Sequence, residues 1–158
     1  ASQNDAQLTH IGADGSARMV DVSDRAITHR TARVEGTVLL SATAREQIQA
    51  NGITKGNVLE IARIAAIMGA KKTPELIPLC HPIGISGIEV QLHLTDAGVG
   101  ISVEVRTSDR TGVEMEALVA VSAADVSSRT IWSPSPRSLR TLPPSRRGSL
   151  LACRRSGP

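Results

Sequence analysis

The chain has 158 residues, 41% of them hydrophobic, and its formal net charge is +3. The length fits one domain with a globular core, and the absence of any run of about 18 apolar residues excludes a membrane-spanning helix. The N-terminus lacks the basic start and apolar stretch of a secretory signal. The two cysteines, Cys80 and Cys153, are too few for a disulfide framework. We therefore expect a cytoplasmic protein with reduced thiols.

The positive charge is confined to the last part of the chain. Residues 127–158 contain seven Arg, five of the eight Pro and eight Ser, with no Lys, Asp or Glu. Residues 1–126 contain 11 basic and 15 acidic residues, so the basic balance says nothing about a partner of the main body. A segment as polar as the tail cannot build a core. We predict a flexible arm at 1–16, one domain at 17–126 and a disordered tail at 127–158.

Hydrophobic periodicity predicts three strands and three helices in the main body. In chain order these are a strand at 33–40, helices at 42–51 and 54–72, strands at 87–94 and 101–107, and a helix at 111–124. This order, β-α-α-β-β-α, predicts an α+β fold with a ferredoxin-like antiparallel sheet and helices packed on one face. Because the chain has no Phe, no Tyr and one Trp, its core must consist of aliphatic side chains.

The two longer helices carry more specific predictions. Thr54 is expected to cap the helix at 54–72, whose apolar face would contain Val58, Ile61, Ala65 and Met68. In the last helix, Thr111 and Glu114 fit a capping box. Glu116 lies two residues further on, points in another direction and lacks such a structural explanation.

The stretch KKTPELIPLCHP at 71–82 is the most unusual in the chain, because it places Cys80 and His81 between two prolines. The prolines stiffen the backbone around an imidazole that can exchange protons near neutral pH. Adjacent Cys and His do not have the spacing of a zinc site, so we predict no metal and no cofactor. A purely structural role, with the Cys packed and the His bonded to backbone, is about as well supported by these residues.

The chain has only three lysines, and all lie close to the long helix. Lys71 and Lys72 at its end complement the helix dipole, which is a sufficient structural reason for both. Lys55 is at the opposite end, where a cation opposes the dipole. A phosphate-bearing ligand would explain its presence there.

Three stretches together resemble one family over about residues 8–123. They are LTHIGADGSARMVDVS at 8–23, KGNVLEIARIAAIMGAKKTPELIPLCHP at 55–82 and TGVEMEALVAVS at 111–122. They look like the molybdenum-cofactor biosynthesis protein C family, the cyclic pyranopterin monophosphate synthases. The resemblance implies a lyase that converts a cyclic dihydroguanosine triphosphate into cyclic pyranopterin monophosphate and diphosphate. It also implies a homohexamer, a trimer of dimers, with the active site between subunits.

The resemblance also implies roles for individual residues. The catalytic residues would be Lys55, Lys71 and His81. The substrate contacts would come from Leu79, Cys80, His81, Glu114, Met115 and Glu116. The partner would be this small purine-derived triphosphate, with no membrane and no specific nucleic acid.

The likeness fails after the last helix begins. The family has a Tyr-Asp-Met-x-Lys motif with a catalytic Asp and Lys, and by spacing it should start at 129. This chain has Arg129, Thr130 and Ile131 there, and no acidic residue or lysine follows Asp125. We therefore expect impaired activity. The alternatives are a non-catalytic subunit of an oligomer, or a polyanion-binding protein that uses the Arg-rich tail.

A shifted reading frame could account for the tail. The composition changes abruptly near Ala124, inside a predicted helix, and not at a domain boundary. Arg129 to Trp132 can be encoded as CGT ACG ATA TGG, and from the third base this reads TAC GAT ATG, which is Tyr-Asp-Met. The coding DNA across this region tests the hypothesis.

Overall fold

Four strands and four helices make up the computed structural model, which describes residues 10–50, 57–132 and 150–156. In chain order they are β1 (Thr28–Leu39), α1 (Ala42–Gln49), α2 (Val58–Lys71), α3 (Thr73–Leu76), β2 (Ile85–Thr95), β3 (Gly98–Asp109), α4 (Glu114–Trp132) and β4 (Leu150–Ser156). The predicted order of elements is confirmed, with the short α3 and the final β4 in addition. Within the described ranges, no helix combines the length and apolarity needed to cross a membrane.

The four strands form one sheet in the order β2-β3-β1-β4, and every neighbouring pair is antiparallel. Helices α2 and α4 pack against each other and against the strands, α2 on β2 and α4 on β1 and β3. The predicted α+β, ferredoxin-like fold is confirmed. The core is aliphatic, as the composition requires, and is built mainly of Val and Ala.

The alternation along the strands separates a buried face from a charged one. In β1, Ala32 and Val34 are buried whereas Arg33 and Glu35 are exposed. On the charged face, Arg106 pairs with Glu104 of the same strand at 2.9 Å and with Glu89 on the neighbouring β2 at 3.8 Å. The period of two along the strand therefore separates the two faces of the sheet.

The β2–β3 hairpin depends on a glycine. Gly98 has φ of +151°, and a Cβ at this position would lie 1.9 Å from the carbonyl oxygen of Val38 on β1. Only glycine has both the conformational freedom and the absence of a side chain that this close approach requires. The turn thus sets β3 against β1 at the register Leu39–Gly98.

Both long helices begin later than predicted. The N-cap of α2 is Asn57, whose Oδ1 accepts from the amides of Leu59 at 3.1 Å and Glu60 at 3.3 Å. The predicted cap, Thr54, lies outside the described residues, and the Asn57 side chain satisfies the free amides at the start of α2. Helix α4 begins at Glu114, two residues after the start that a Thr111 cap requires, and the capping box of Thr111 and Glu114 stays a prediction.

Small residues form the buried face of α2. Val58 is buried as predicted, but Ile61 and Met68 are 37% and 53% exposed, so the predicted apolar face is wrong for these two. The remaining buried positions are Ala62, Ala66, Gly69 and Ala70. The reason is the proximity of α4: a Cβ on Gly69 would lie 2.8 Å from the Cβ of Ala123.

The structure differs from the predicted disordered tail in two segments. Helix α4 continues through residues 127–132, and residues 150–156 pair with β1 as β4. An apolar run, LLAC, and the free edge of β1 can form this strand despite the Ser, Pro and Arg around it. Residues 133–149 and 157–158 lie outside the described residues, as does most of the predicted arm. Residues 10–16 form a turn closed by the bridge between Ile11 and Ala17.

Candidate functional site

The loop between α3 and β2 carries three of the predicted site residues, Leu79, Cys80 and His81. Leu79 has φ of 62°, the left-handed region that a branched side chain rarely adopts. Such strained backbone persists where the surrounding structure holds it, and it is concentrated at functional sites. All three side chains are partly buried.

Cys80 and Glu116 meet although they are 36 residues apart in the sequence. The Cys80 Sγ donates to Glu116 Oε1 at 3.6 Å. Glu116 is 1% exposed, and its Oε2 is buried without a hydrogen-bond partner among the described residues. A buried carboxyl oxygen without a partner is costly, so this atom is available to bind a donor from a ligand.

Burial changes the protonation of both groups. It raises the pKa of Glu116, and the nearby Glu114 adds to the effect. Burial, and then the Glu116 carboxylate, raise the pKa of the Cys80 thiol to about 11. Cys80 is therefore a thiol at neutral pH. Because the nucleophilic form of cysteine is the thiolate, Cys80 acts here as a hydrogen-bond donor or packing group and not as a nucleophile.

His81 is fixed by the N-terminal part of the chain. Its Nε2 lies 2.8 Å from the carbonyl oxygen of Val20, 61 residues earlier. A carbonyl oxygen can only accept, so Nε2 is the donor in this bond. The predicted alternative, a histidine bonded to backbone, thus describes Nε2. The other ring nitrogen, Nδ1, has no hydrogen-bond partner among the described residues and is available for proton transfer.

Side chains at the end of β3 hold the loop in place. Thr107 Oγ1 donates to the carbonyl oxygen of Gly84 at 2.5 Å, and the Gly84 amide donates to Asp109 Oδ2 at 3.3 Å. Strand β2 starts directly afterwards, with Ile85 paired to Thr107. Because β3 leads into α4, the same strand end positions both the Cys80–His81 loop and the first turn that carries Glu116.

The other predicted site residues are less closely tied to this cluster. Glu114 and Met115 are in the first turn of α4, and Met115 is 39% exposed. Lys71 is exposed at the end of α2, and among the described residues no hydrogen bond or ion pair joins it to Cys80, His81 or Glu116. Lys55 lies outside the described residues.

Lys72 has a structural role. Its Nζ lies 3.1 Å from Glu75 Oε2 in an exposed ion pair. Among the described residues, no group of three or more His, Cys, Asp and Glu side chains has the arrangement of a metal site.

Three positioning groups escaped the sequence reasoning: the Val20 carbonyl, Thr107 and Asp109. Backbone carbonyls carry no sequence signal, and Thr107 and Asp109 look like ordinary residues at the end of a strand. The only indication was the N-terminal stretch at 8–23, which formed part of the family resemblance without any residue being assigned a role.

The positions at which the resemblance calls for Tyr, Asp and Met lie within α4. They are occupied by Arg129, Thr130 and Ile131. Arg129 Nε forms an ion pair with Asp125 Oδ1 at 2.9 Å, one helical turn away. The helical backbone for the motif is therefore present, whereas its side chains are different.

Comparison with known proteins agrees with the resemblance. Residues 19–133 match the MoaC family. The cyclic pyranopterin monophosphate synthase of Streptomyces griseus is 57% identical over 118 residues, covering 75% of this chain and 67% of that protein. Those of Nocardioides sp. and Corynebacterium glutamicum are each 52% identical, over 78% and 75% of this chain and 77% and 76% of their own lengths. This protein belongs to the MoaC family.

Proposed function

We propose that the protein acts in molybdenum cofactor biosynthesis as a lyase, converting a cyclic dihydroguanosine triphosphate into cyclic pyranopterin monophosphate and diphosphate. Its relatives bear the name cyclic pyranopterin monophosphate synthase. The observation that carries the proposal is the contact between Cys80 and Glu116 beside His81. A buried acceptor, a thiol and an imidazole are grouped where a small polar substrate can be bound and protons moved.

The proposed roles follow from charge and position. Lys71 and Lys55 would bind the triphosphate, because polyphosphates need cations. His81 would transfer protons. Glu116 would accept from the donor groups of the base, while the remaining contacts would come from Leu79, Cys80, Glu114 and Met115.

A binding measurement tests the role of Lys71. We expect Lys71→Ala to weaken binding of a guanosine triphosphate analogue by about tenfold, roughly the loss of one charge-assisted bond. Calorimetric titration measures this. Lys72→Ala is the matched control, since Lys72 is the neighbouring lysine and pairs with Glu75. Equal affinities for wild type and Lys71→Ala would contradict the role.

We further propose that this chain turns the substrate over poorly, because the family's catalytic Asp and Lys are absent from positions 130 and 133. Loss of members of a catalytic unit commonly removes several orders of magnitude in rate. The test is product formation by the purified chain and by a variant with Arg129→Tyr, Thr130→Asp, Ile131→Met and Ser133→Lys. The control has Thr130→Asn and the same other changes.

Turnover should appear in the Asp-containing variant and not in its Asn control. A wild-type rate equal to that of a relative would show that the missing groups are unnecessary. Failure of the variant alone would instead indicate that residues beyond 133 are also needed.

Helix geometry supports a site shared between subunits. Glu116 and Thr130 lie on one helix, α4, and 14 residues at about 1.5 Å each separate them by about 21 Å. This separation favours an arrangement in which the Glu116 cluster and position 130 reach one substrate from different subunits. We propose the homohexamer, a trimer of dimers, in which position 130 of one subunit completes the cluster of another.

Mixing subunits tests this arrangement. A relative with its equivalent of His81 replaced keeps the Asp and Lys, while this chain keeps the His81 cluster. Co-refolded mixtures should recover activity that neither parent has. If the mixture stays inactive although the subunits co-assemble, the shared site is wrong.

We propose that the tail is an out-of-frame translation of the usual C-terminus. Support comes from the abrupt change of composition near Ala124 and from the encodable Tyr-Asp-Met at Arg129–Trp132. The coding DNA across codons 120–135 tests it, because another frame must read Tyr-Asp-Met.

Binding of polyanions by the seven arginines and a cytoplasmic location both remain predictions.

A further inference from the structure

The bond to Val20 determines which nitrogen of His81 is free. Since Nε2 donates to a carbonyl oxygen at 2.8 Å, a neutral His81 must carry its proton there, and Nδ1 must be the acceptor. Within the described part of the chain, Nδ1 has no hydrogen-bond partner. The orientation of the ring therefore depends on whatever holds the Val20 carbonyl in place.

A turn fixes the chain immediately after Val20. Asp21 Oδ1 accepts from the amide of Ser23 at 2.9 Å and from its Oγ at 2.6 Å. The Arg25 amide then donates to the Val22 carbonyl oxygen at 3.0 Å. These bonds are local, so they shape residues 21–25 without attaching them to the domain.

Arg110 makes that attachment. Its Nη1 donates to the carbonyl oxygens of Ser23 and Arg25, at 2.9 Å for Arg25. Arg110 directly follows β3 and lies four residues before Glu114. One guanidinium thus fastens the turn that follows Val20 to the chain segment that leads into the Glu116 turn of α4.

We propose that Arg110 is a positioning residue: by clamping residues 23–25, it keeps the Val20 carbonyl on His81 Nε2 and leaves Nδ1 facing the substrate as the proton acceptor. This rests on the proposed function only for the identity of the substrate. The pKa of Asp21 is lowered chiefly by its hydrogen bonds from Ser23 and slightly by His81. The effect of His81 is consistent with a turn that packs beside the imidazole.

The His81 Hε2 proton provides a readout that does not need turnover. We would record imidazole ¹H–¹⁵N spectra of the full chain at about pH 8, where ordinary histidines are neutral, and assign His81 from a His81→Gln variant. The wild type should show the Nε2–H tautomer with a slowly exchanging Hε2. Arg110→Ala should speed exchange of this proton by about tenfold or more, because charge-assisted bonds to two carbonyls are lost.

Two further variants separate positioning from general loss of structure. Arg110→Lys keeps a cationic donor and should partly restore slow exchange. Arg106→Ala removes an arginine of the exposed sheet face and should leave His81 unchanged. If Arg110→Ala does not fold, Asp21→Ala opens the same turn from its other end and should produce the same exchange increase, with the His93 signals unaltered as a check on folding.

The possible results distinguish this inference from the proposed function. An Nδ1–H tautomer in the wild type, or a His81 signal unaffected by Arg110→Ala, overturns the positioning role and leaves the proposed reaction intact. If the His81 signals behave as expected, adding a guanosine triphosphate analogue should shift Nδ1 more than Nε2. No shift at either nitrogen would mean that the positioned imidazole does not face this substrate.

Discussion

Glu116 is the residue whose burial most needs an explanation. Carboxyl groups are rarely almost fully buried, and those that are usually have partners for both oxygens. Glu116 has the Cys80 thiol on one oxygen and no described partner on the other. An ionisable group kept in this way in an otherwise aliphatic core is more readily explained by a ligand than by stability.

The cost of that burial predicts a pH-dependent effect of Glu116→Gln. The pKa of Glu116 is raised above its ordinary value of 4.5, so the folded protein holds the proton more tightly than the unfolded chain. The wild type therefore loses stability as pH rises through the folded-state pKa. The variant cannot ionise and should have the higher free energy of unfolding at about pH 8, with the difference shrinking towards about pH 4.

Urea unfolding at several pH values measures this difference. Glu46→Gln is the control, because Glu46 is exposed on α1 and should show little pH-dependent change. A Glu116→Gln variant less stable than the wild type at every pH would mean that the ionised carboxylate is stabilised by groups the described contacts do not include.

Backbone strain at Leu79 gives a second test at the residue scale. Its φ of 62° costs a residue with a Cβ roughly 1–2 kcal/mol. Both Leu79→Gly and Leu79→Ala lose the side chain beyond Cβ, but only glycine also lacks the Cβ that causes the strain. We expect the Gly variant to be about 1 kcal/mol more stable than the Ala variant, the reverse of the usual order. Equal stabilities in thermal or urea unfolding would refute strain at this position.

At the scale of elements, the contact between α2 and α4 depends on small residues. A Cβ on Gly69 would lie 2.8 Å from the Cβ of Ala123 and 3.2 Å from the Val119 carbonyl oxygen. Gly69→Ala should therefore destabilise the protein by about 1–3 kcal/mol through overpacking, although alanine is favoured over glycine in helices by about 1 kcal/mol.

A second substitution shows whether the helix contact is the cause. Ala123→Gly removes the opposing Cβ, so the double variant should recover part of the loss, giving a favourable coupling in a double-mutant cycle. Additive effects of the two substitutions would place the cause elsewhere than in the contact between these two helices.

The same helix shows how far sequence reasoning reached. The alternation in the strands was read correctly because the polar and apolar faces of the sheet differ strongly in composition. In α2 the pattern favoured Ile61 and Met68, the larger apolar residues, whereas close packing of α4 selects the alanine and glycine face. Hydrophobic periodicity measures how apolar a face is, but it does not measure the distance to the next helix.

The site could be predicted only in its parts. The Cys80–His81 loop and Glu116 were each noted from unusual residues and from the family resemblance. The contact between Cys80 and Glu116, and the bond from His81 to Val20, join residues 36 and 61 positions apart. Such contacts follow from the tertiary fold, and the bond to a backbone carbonyl leaves no trace in the side-chain pattern.

At the scale of the whole molecule, the last strand covers one edge of the sheet. Without β4, strand β1 would expose the backbone groups of residues 31–37 at the edge of the sheet, and exposed edges favour association with other chains. The composition of the 32 residues from 127 to 158 favoured a prediction of disorder. The Ser, Pro and Arg residues around the seven-residue strand dominate that composition, so the strand left little signal in it.

Two neighbouring proline variants test the strand. In an antiparallel edge strand, successive amides point alternately towards the partner strand and towards solvent. Leu151 and Ala152 are adjacent, so only one of them donates to β1, from the register Gly36–Leu151 and Glu35–Ala152. Proline at the donating position removes a ladder bond, whereas proline at the other is tolerated on an edge.

We expect Leu151→Pro and Ala152→Pro to differ in stability by about 1 kcal/mol. Hydrogen exchange should show loss of protection in β4 for the more damaging of the two and retention for the other. Identical unfolding curves for both variants and the wild type, with rapid exchange throughout residues 150–156, would mean that the tail does not pair with β1 in solution.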